Sequence, residues 1–397
     1  MTASRCLPLE SPTLLRHKPD MSRIPHLALV MIALSGCART ESTAPADTGA
    51  SAELSAATDV ASVPEVAPDT AAMGPLPITA PPDTWTWVPF SDAFCANGKS
   101  TGIGLRPSSK STDLLIFFKG GGACWDEQTC WKDNLAAFVV DGYGEPEFKS
   151  DLKTTLDVAI FDVDLADNPF RTWDMAFIPY CTGDIHGGSN PDAVHGAHPT
   201  RHVGHLNFKR YLARLVATFP DATRIAVIGT SAGGFGATLN VWHVRQAFPG
   251  VRVDLLSDSG PLLPSAFTDA TKREAQRSAW KLDAVYPPDC TGCVGEWSGL
   301  IGHVLATTAA SSGRAALLGY AQDAVIGSYF DLTASKVQEG YQAILASLAD
   351  QPRFQAYLAP GGAHVVMWTL GTKSGGALGG FLQKMIGDDP GWKSVLP

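Results

Sequence analysis

Blocks of hydrophobic and polar positions follow one another along the chain and predict strands and helices in alternation. Short, unbroken apolar runs bounded by turn-forming residues predict buried strands, and they lie at residues 114–118, 173–180, 224–228, 251–256, 315–320 and 354–358. Apolar residues at helical spacing predict helices over 208–219 and 239–248. Because strands that alternate with helices form parallel sheets covered on both faces, the predicted fold class is α/β, with a mostly parallel central sheet.

Residues able to carry chemistry follow the ends of these predicted strands. The run at 114–118 leads to three glycines at 120–122, the run at 224–228 leads to Ser231, and the run at 251–256 leads to Asp258. In open parallel sheets the ligand site lies outside the carboxyl ends of the strands, where the loops gather. The sequence therefore predicts a single site built from these loops.

A glycine-flanked serine is the most informative motif. Residues 229–233 read Gly-Thr-Ser-Ala-Gly, which matches the G-x-S-x-G pattern of a tight strand-to-helix turn that exposes a serine hydroxyl. The β-branched run before the motif and the helical pattern after it supply the strand and the helix that this turn requires. We therefore predict that Ser231 is the nucleophile of an α/β-hydrolase-like fold.

A serine nucleophile needs a base to take its proton, and in this fold the histidine follows the serine in the chain. The histidines that do so are His243, His303 and His364. His243 falls inside the helix after the serine and would point away from it, and the pattern does not assign the segment around His303. His364 follows the last predicted strand, which favours it as the base.

Two aspartates compete as the acid that orients this histidine. Asp323 follows the penultimate predicted strand, the usual place of the acid, whereas Asp258 ends the strand after the nucleophile helix, which is an alternative place. Chain position favours Asp323. Three roles remain possible for Asp258: the acid, a substrate contact, or a residue that connects loops beneath the site.

An ester hydrolase must also stabilise the oxyanion of the tetrahedral intermediate with backbone N–H groups. Ala232, directly after the predicted nucleophile, would supply one of them. The glycines at 120–122 follow an early strand, where esterases of this fold carry a glycine-rich oxyanion loop. We expect such a reaction to need no cofactor.

Together these motifs resemble those of the pectin acetylesterase family, which includes the Notum-type carboxylesterases. The matching stretches are Lys-Gly-Gly-Gly-Ala-Cys at 119–124, Pro-Tyr-Cys-Thr-Gly-Asp at 179–184, Gly-Thr-Ser-Ala-Gly-Gly at 229–234, Ser-Asp-Ser-Gly at 257–260, Asp323 and the loop that ends at His364. The resemblance implies an α/β-hydrolase-like fold with a catalytic triad at Ser231, Asp323 and His364. It also implies an oxyanion hole from Gly121, Gly122 and Ala232, and disulfides between Cys95 and Cys181 and between Cys124 and Cys130.

The glycine loop departs from the family pattern at two positions. Lys119 stands where the family usually has an acidic residue, and Ala123 stands where it has an aromatic one. Backbone donors do not depend on these side chains, but substrate contacts do. The resemblance therefore implies ester hydrolysis, with an acetylated extracellular polysaccharide as the favoured substrate and with lipids, small esters or polyesters as alternatives.

The segment from residue 184 to residue 205 contains half of the histidines: His186, His195, His198, His202 and His205. Imidazole is the commonest metal ligand, so a metal-dependent hydrolase is an alternative reading. Binuclear metallophosphatases need further metal ligands from later motifs such as Gly-Asn-His-Glu, and the sequence contains no motif of that kind. The glycine-rich composition favours a loop over the active site, and we predict no metal there. Asp184 and His186, together with Asp258, are candidate substrate contacts.

Composition narrows the class of partner. Hydrophobic residues make up 45% and charged residues 17% of the chain, and the formal net charge is -9. Without a basic excess to neutralise phosphates, a nucleic-acid partner is not expected. A non-catalytic surface-binding protein with the same fold is a further alternative, which the intact serine, histidine and acid candidates disfavour.

The N-terminal region predicts export and lipid anchoring. A short apolar run at 27–34 follows Arg23 and precedes Ser35-Gly36-Cys37, which is typical of a signal peptide and resembles a lipobox whose cysteine is lipidated. We predict a signal peptide over 1–36, with Met21 favoured as the start. Residues 37–82 would be the lipidated Cys37 and a disordered tether, and 83–397 the catalytic domain. The protein would then be anchored to the bacterial cell envelope, at the outer membrane or cell surface, or released from it.

The cysteines beyond Cys37 also fit an exported protein. They are Cys95, Cys124, Cys130, Cys181, Cys290 and Cys293, and an even number in an exported chain indicates disulfides. The short spacings favour local bonds within 124–130 and within 290–293, which leaves Cys95 with Cys181. Spacing alone leaves the other pairings open.

Overall fold

The computed structural model of this chain describes residues 75–307, 313–373 and 376–397. The predicted signal peptide, Cys37 and most of the predicted tether lie outside the described residues. Within the described part, no helix combines the length and the apolar character needed to cross a bilayer.

A parallel sheet with two antiparallel strands at one edge forms the framework of the described residues. The strands are β1 (Thr86–Phe94), β2 (Ser100–Arg106), β3 (Leu114–Phe118), β4 (Asp174–Ile178), β5 (Asn190–His195), β6 (His198–His202), β7 (Arg224–Thr230), β8 (Arg252–Asp258), β9 (Ala315–Tyr320) and β10 (Phe354–Ala359). Eight of them form the central sheet in the order β1-β2-β4-β3-β7-β8-β9-β10. All neighbours from β4 to β10 in that order are parallel, whereas β1 and β2 join antiparallel. The predicted α/β class and mostly parallel sheet are confirmed.

The central strands are buried on both faces, as parallel strands covered by helices require. In β3, Ile116 and Phe118 belong to the hydrophobic core on one face of the sheet, and Leu115 and Phe117 to the core on the other. Side chains alternate between the faces of a strand, so both sets must be apolar. This is why unbroken apolar runs located these strands, and why β3 and β9 have the predicted bounds.

The two antiparallel strands at the edge of the sheet escaped prediction. β1 alternates between buried and exposed positions and contains Pro89 and Asp92, while β2 contains Gly102 and Gly104. These residue types are depleted in strands. Tertiary packing explains the glycines, because a Cβ on Gly102 would lie 2.1 Å from the carbonyl oxygen of Val88.

The helices are α1 (Glu145–Thr154), α2 (Gly204–Thr218), α3 (Ala232–Ala247), α4 (Ala270–Trp280), α5 (Leu300–Thr307), α6 (Ala324–Phe330), α7 (Ala334–Ser347) and α8 (Gly376–Ile386). Helix α3 begins well before the predicted start at residue 239, in a glycine-rich stretch that resembles a turn in the sequence. A Cβ on Gly233 would lie 1.9 Å from the carbonyl oxygen of Phe118. The glycines therefore allow the helix to pack closely against the sheet.

The cysteines form bonds between Cys95 and Cys181, Cys124 and Cys130, and Cys290 and Cys293, with Cα separations of 4.9, 4.9 and 5.5 Å. The pairing that spacing favoured is confirmed. Such bonds persist in oxidising compartments. The bond at Cys124 directly follows the glycine loop, so it restrains the segment that leads away from the predicted oxyanion hole.

Candidate active site

Ser231 lies in the tight turn between β7 and α3, at the carboxyl edge of the sheet. Its backbone φ is 56°, a left-handed value that is uncommon outside glycine. The flanking glycines make this turn possible, because a Cβ on Gly229 would lie 1.9 Å from the carbonyl oxygen of Gly233. The turn leaves Ser231 partly exposed at the N-terminus of a long helix.

The glycine loop, residues 120–122, packs directly against this turn. A Cβ on Gly120 would lie 2.5 Å from the carbonyl oxygen of Thr230 and 3.0 Å from the Cβ of Ser231. Among the described residues, none accepts a hydrogen bond from the backbone N–H of Gly121 or Gly122. Both donors therefore stay available beside the serine.

Ala232 contributes a third backbone donor. It is the first residue of α3, and the N–H groups in the first turn of a helix have no acceptor within that helix. The helix dipole also favours negative charge at this end. The predicted oxyanion donors thus belong to the two segments that flank Ser231.

His364 and Asp323 meet beyond the carboxyl ends of β10 and β9. The Nδ1 atom of His364 lies 2.8 Å from Oδ2 and 3.0 Å from Oδ1 of Asp323. An ionised carboxylate can only accept, so Nδ1 carries the proton and donates, and the neutral imidazole keeps a lone pair on Nε2. Asp323 is fully buried, whereas His364 exposes 21% of its side chain. The pair thus has the polarity of a base supported by an acid.

Asp258 connects the serine turn to the histidine loop. Its backbone carbonyl accepts a hydrogen bond from the N–H of Ser231 at 2.8 Å. Its carboxylate accepts from the N–H groups of Val366 and Met367 at 3.2 and 2.6 Å. The acid in contact with the imidazole Nδ1 is Asp323, and Asp258 instead holds the loops on either side of the site together. Burial raises the pKa of the Asp258 carboxyl to about 6.

The residue after His364 is held in a strained conformation. Val365 has a φ of 63°, which is an outlier for a β-branched residue. Its N–H donates to the hydroxyl of Ser259 at 3.0 Å, and that hydroxyl donates to Asp258. Strain of this kind persists only where the surroundings over-determine it, so the position of His364 is tightly specified.

The structure buries Asp184, His186 and Asp258, which the sequence offered as candidate substrate contacts. Their exposed fractions are 0, 2 and 0%, and each side chain bonds to protein groups instead. The Asp184 carboxylate, for example, accepts hydrogen bonds from the Thr182 hydroxyl and from the N–H of Gly204. Each of these side chains therefore has its hydrogen-bond partners inside the fold.

The histidine-rich segment does not converge on one metal centre. It forms a hairpin of β5 and β6, in which the Nε2 atoms of His195 and His202 lie 2.8 Å apart. The Sγ of Cys130 lies within 4.8 Å of both, but this sulfur belongs to the disulfide with Cys124. Two nitrogen ligands then remain, fewer than the three protein ligands of catalytic zinc sites. The geometry of this cluster therefore gives no support to a metal-dependent hydrolase.

The other histidines have partners away from Asp323. The Nε2 of His243 lies 2.8 Å from the carbonyl oxygen of Val285, and the Nε2 of His303 lies 3.1 Å from Asp289. Of the three histidines considered as the base, it is His364 whose ring bonds to Asp323.

The two residues that depart from the family pattern have their surroundings within the fold. The Nζ of Lys119 lies 2.8 Å from the Asp151 carboxylate, which also accepts a hydrogen bond from the Tyr143 hydroxyl at 2.6 Å. Ala123 is buried. Lys119 thus anchors the start of the glycine loop to α1.

Sequence reasoning missed residues that hold the loops of the site. The single proton of the Ser257 hydroxyl lies between two acceptors, the carbonyl oxygens of Gly234 and Gly260, at 2.9 and 3.1 Å from its oxygen. The hydroxyl of Tyr180 donates to the carbonyl oxygen of Gly122. Both residues lie in stretches that the motifs had marked. Nothing in the motifs indicates which distant carbonyl each hydroxyl reaches.

A family model matches the middle of the chain, and curated relatives match part of the chain. The pectinacetylesterase family model covers residues 86–286. The chain is 30% identical over 176 residues to palmitoleoyl-protein carboxylesterase notum1 of Xenopus laevis, a match that covers 42% of this chain and 34% of that protein. It is 28% identical over 222 residues to NOTUM of Drosophila melanogaster, covering 50% of this chain and 31% of that protein. The chain thus spans about a third of the length of the curated relatives it matches.

Solved structures share the fold. A crystal structure of the Wnt deacylase Notum from Drosophila superimposes with a TM-score of 0.56 at 20% sequence identity, and covers 77% of this chain and 94% of that one. At this identity the likeness concerns the fold, which is that of a Notum-like α/β hydrolase.

Proposed function

The chain belongs to the pectinacetylesterase family, and from this premise we propose that it is a serine hydrolase of carboxylic esters that forms an acyl-enzyme on Ser231. The family is one of esterases, and the curated relatives are named carboxylesterases. The observation that carries the proposal is the hydrogen bond between His364 Nδ1 and Asp323, made by the loops after β10 and β9 at the same edge of the sheet as the serine turn.

Each residue of the site has a defined role in the proposed reaction. The Nε2 of His364 takes the proton of the Ser231 hydroxyl as its oxygen attacks the ester carbonyl, and Asp323 stabilises the resulting imidazolium. The N–H groups of Gly121, Gly122 and Ala232 hold the oxyanion. His364 then gives its proton to the leaving alcohol, and the same base activates the water that releases the acid from the acyl-enzyme.

The serine mechanism can be tested with the full chain and a short-chain aryl ester such as p-nitrophenyl acetate. We expect turnover by the parent to persist in the presence of a chelator and to vanish in Ser231→Ala. Ser265→Ala, which changes an exposed serine away from the strand ends, is the matched control and should match the parent. Turnover that survives in Ser231→Ala, or that is lost on chelation, would refute the proposed mechanism.

We propose an acetylated extracellular polysaccharide as the substrate, because the family model bears the name of an acetylesterase. Release of acetate from acetylated pectin, measured against a deacetylated control and against Ser231→Ala, would test it. The absence of acetate release from a preparation that does hydrolyse aryl acetate would reject the polysaccharide and keep the esterase.

A longer acyl group is the second candidate, and one observation favours it. A cavity of about 370 Å³ lies between α4 and the loop closed by Cys290 and Cys293. Its apolar and aromatic lining comes from Trp280, Leu282, Tyr286, Val294 and Trp297, and α4 adds the polar side chains of Arg273, Glu274, Gln276 and Arg277. The Trp297 ring lies 5.9 Å from that of Phe235, in the first turns of the helix that begins at the nucleophile. A series of p-nitrophenyl esters from acetate to palmitate distinguishes the candidates, since kcat/KM falls with chain length for an acetylesterase and rises for a fatty-acyl esterase.

We also propose that the chain is exported and held at the cell envelope by lipid on Cys37. The three disulfides fit an oxidising compartment, and a cysteine bearing several acyl chains binds a bilayer firmly. In a bacterial host, Cys37→Ser should lose radiolabelled palmitate and leave the membrane fraction. Retention in that fraction without label would exclude this anchor.

A further inference from the structure

Two buried side chains hold the glycine loop from the side away from solvent. Tyr180 follows β4, and its hydroxyl donates to the carbonyl oxygen of Gly122 at 2.9 Å and accepts from the N–H of Ile185 at 2.9 Å. The Nε2 of His186 lies 2.8 Å from the carbonyl oxygen of Lys119. Because a carbonyl can only accept, this nitrogen carries the ring proton and donates it.

These bonds orient the peptide planes of the loop. A trans peptide is planar, so a fixed C=O also fixes the direction of the N–H in the same plane. His186 anchors the peptide before Gly120, and Tyr180 anchors the peptide after Gly122. Between them, the carbonyl of Gly121 accepts from the N–H of Ala137 at 2.7 Å, which fixes the N–H of Gly122. The N–H of Gly121 thus lies between anchored planes.

A strained turn brings the His186 ring to this position. Ile185 and His186 have φ values of 51° and 58°, and consecutive left-handed residues other than glycine are energetically unfavourable. The buried Asp184 carboxylate holds the turn by accepting hydrogen bonds from the N–H of His186, the N–H of Gly204 and the Thr182 hydroxyl at 3.1, 2.7 and 2.6 Å. The fold therefore maintains an unfavourable backbone conformation at Ile185 and His186. This conformation places the His186 ring where it donates its hydrogen bond to the glycine loop.

Both anchors remain neutral hydrogen-bond donors near neutral pH, the range in which an esterase with a histidine base operates. Burial lowers the pKa of His186 to about 4, so its ring is uncharged near neutral pH. Burial also raises the pKa of the Tyr180 hydroxyl well above its usual value. Neither donor is lost by titration over that range.

We infer that Tyr180 and His186 are positioning residues that hold the N–H groups of Gly121 and Gly122 toward the oxyanion, and that Asp184 orients His186. The inference rests on the proposed function, because that function supplies the oxyanion. Preorganised donors stabilise a transition state without reorganisation during the reaction. A run of three glycines has the least intrinsic backbone order of any sequence, so its order must come from anchors outside it.

The kinetic test compares Tyr180→Phe, His186→Leu and His186→Gln with the parent. Glutamine places an N–H donor near the site of Nε2, so it serves as the conservative rescue. His243→Leu is the matched control, because it removes the same kind of bond, from Nε2 to a carbonyl oxygen at 2.8 Å, elsewhere in the fold. Active sites are counted by titration with a fluorophosphonate, so that every kcat refers to folded, reactive enzyme.

We expect Tyr180→Phe and His186→Leu to lower kcat per active site by about 10- to 100-fold, with KM within about threefold of the parent. Affinity for a boronic acid, whose serine adduct is tetrahedral, should fall in proportion to kcat/KM. His186→Gln should recover most of the loss, and His243→Leu should match the parent per site. A purely structural role would reduce the number of titratable sites and leave kcat and boronate affinity per site unchanged, which would overturn the inference.

A second measurement does not depend on hydrolysis. Amide hydrogen exchange of the peptide covering residues 119–124 should be faster in Tyr180→Phe and His186→Leu than in the parent, His186→Gln or His243→Leu. Faster exchange in a protein that hydrolyses no ester would support the anchors and reject the proposed function. Unchanged exchange together with unchanged kcat per site would reject the anchors and leave the proposed function standing.

Discussion

The carboxyl ends of β8 and β9 each carry a fully buried aspartate at the edge of the sheet, yet the two carboxylates bind different groups. Asp323, after β9, bonds to the imidazole of His364 and also accepts from the first N–H groups of α6. Asp258, at the end of β8, bonds to the backbone N–H groups of Val366 and Met367. One carboxylate meets the ring of the histidine and the other meets the backbone just beyond it.

The difference shows how one loop can be held by two similar residues in separate ways. Asp258 specifies where the chain after His364 runs, and its own backbone holds the N–H of Ser231. Asp323 specifies the tautomer and direction of the ring. Loss of Asp258 should therefore appear mainly in stability, and loss of Asp323 mainly in rate.

The largest expected effect comes from Asp323→Ala. We expect kcat for a short-chain aryl ester to fall by about 10³-fold or more, because His364 loses the partner that fixes its tautomer and supports its charge. The free energy of unfolding should fall by about 1–3 kcal/mol, through loss of the N-cap of α6 and of a buried side chain. Ester kinetics and urea unfolding measure the two quantities, and a rate within tenfold of the parent would remove Asp323 from the triad.

Asp258→Ala should reverse this pattern. Its free energy of unfolding at pH 5 should fall by about 2–4 kcal/mol, because buried N–H groups lose their acceptor and a cavity forms. The fall in kcat per titrated site should stay below about tenfold, since the imidazole keeps Asp323. Unchanged stability with a rate as low as that of Asp323→Ala would mean that the two roles are exchanged.

The smallest effect concerns pH. Burial raises the pKa of Asp258 from 3.8 to about 6, so the stability that this group contributes is complete below the lower value and is lost as the pH rises through the higher one. The difference in unfolding free energy between the parent and Asp258→Ala should therefore shrink by up to about 2 kcal/mol from pH 4 to pH 8. Urea unfolding of both proteins across this range measures the difference. A difference that grows with pH would contradict the sign.

The sequence predicted the parallel strands better than it predicted what surrounds them. Strands such as β3 and β9 are buried on both faces, so their apolar runs are local and complete. The edge strand β1 and the first turns of α3 depend on contacts with other segments, which allow or require Pro89 and Gly233 where propensity disfavours them. Local pattern therefore failed where a neighbouring backbone decides which residue fits.

In the candidate site, too, the local pattern predicted some features and missed those that depend on neighbouring segments. The histidine segment had the composition of a metal site or a substrate loop, but the fold buries His186 and Asp184 and uses them to hold a turn. Composition does not reveal burial, because the walls that exclude water come from β3, α2 and α3. The same polar residues would have been accessible on an open loop.

By itself, the sequence determined the order of strands and helices and the strand ends at which the candidate residues gather, because these follow from local periodicity. It also determined the turn that presents Ser231, because that turn depends on the conformational freedom of glycine. Only the tertiary structure decided which aspartate meets His364, which histidines are buried, and which carbonyl oxygens hold the glycine loop. Such choices depend on hydrogen bonds between distant segments, as between Val365 and Ser259, which lie 106 positions apart. A local pattern cannot encode a partner that folding brings from elsewhere in the chain.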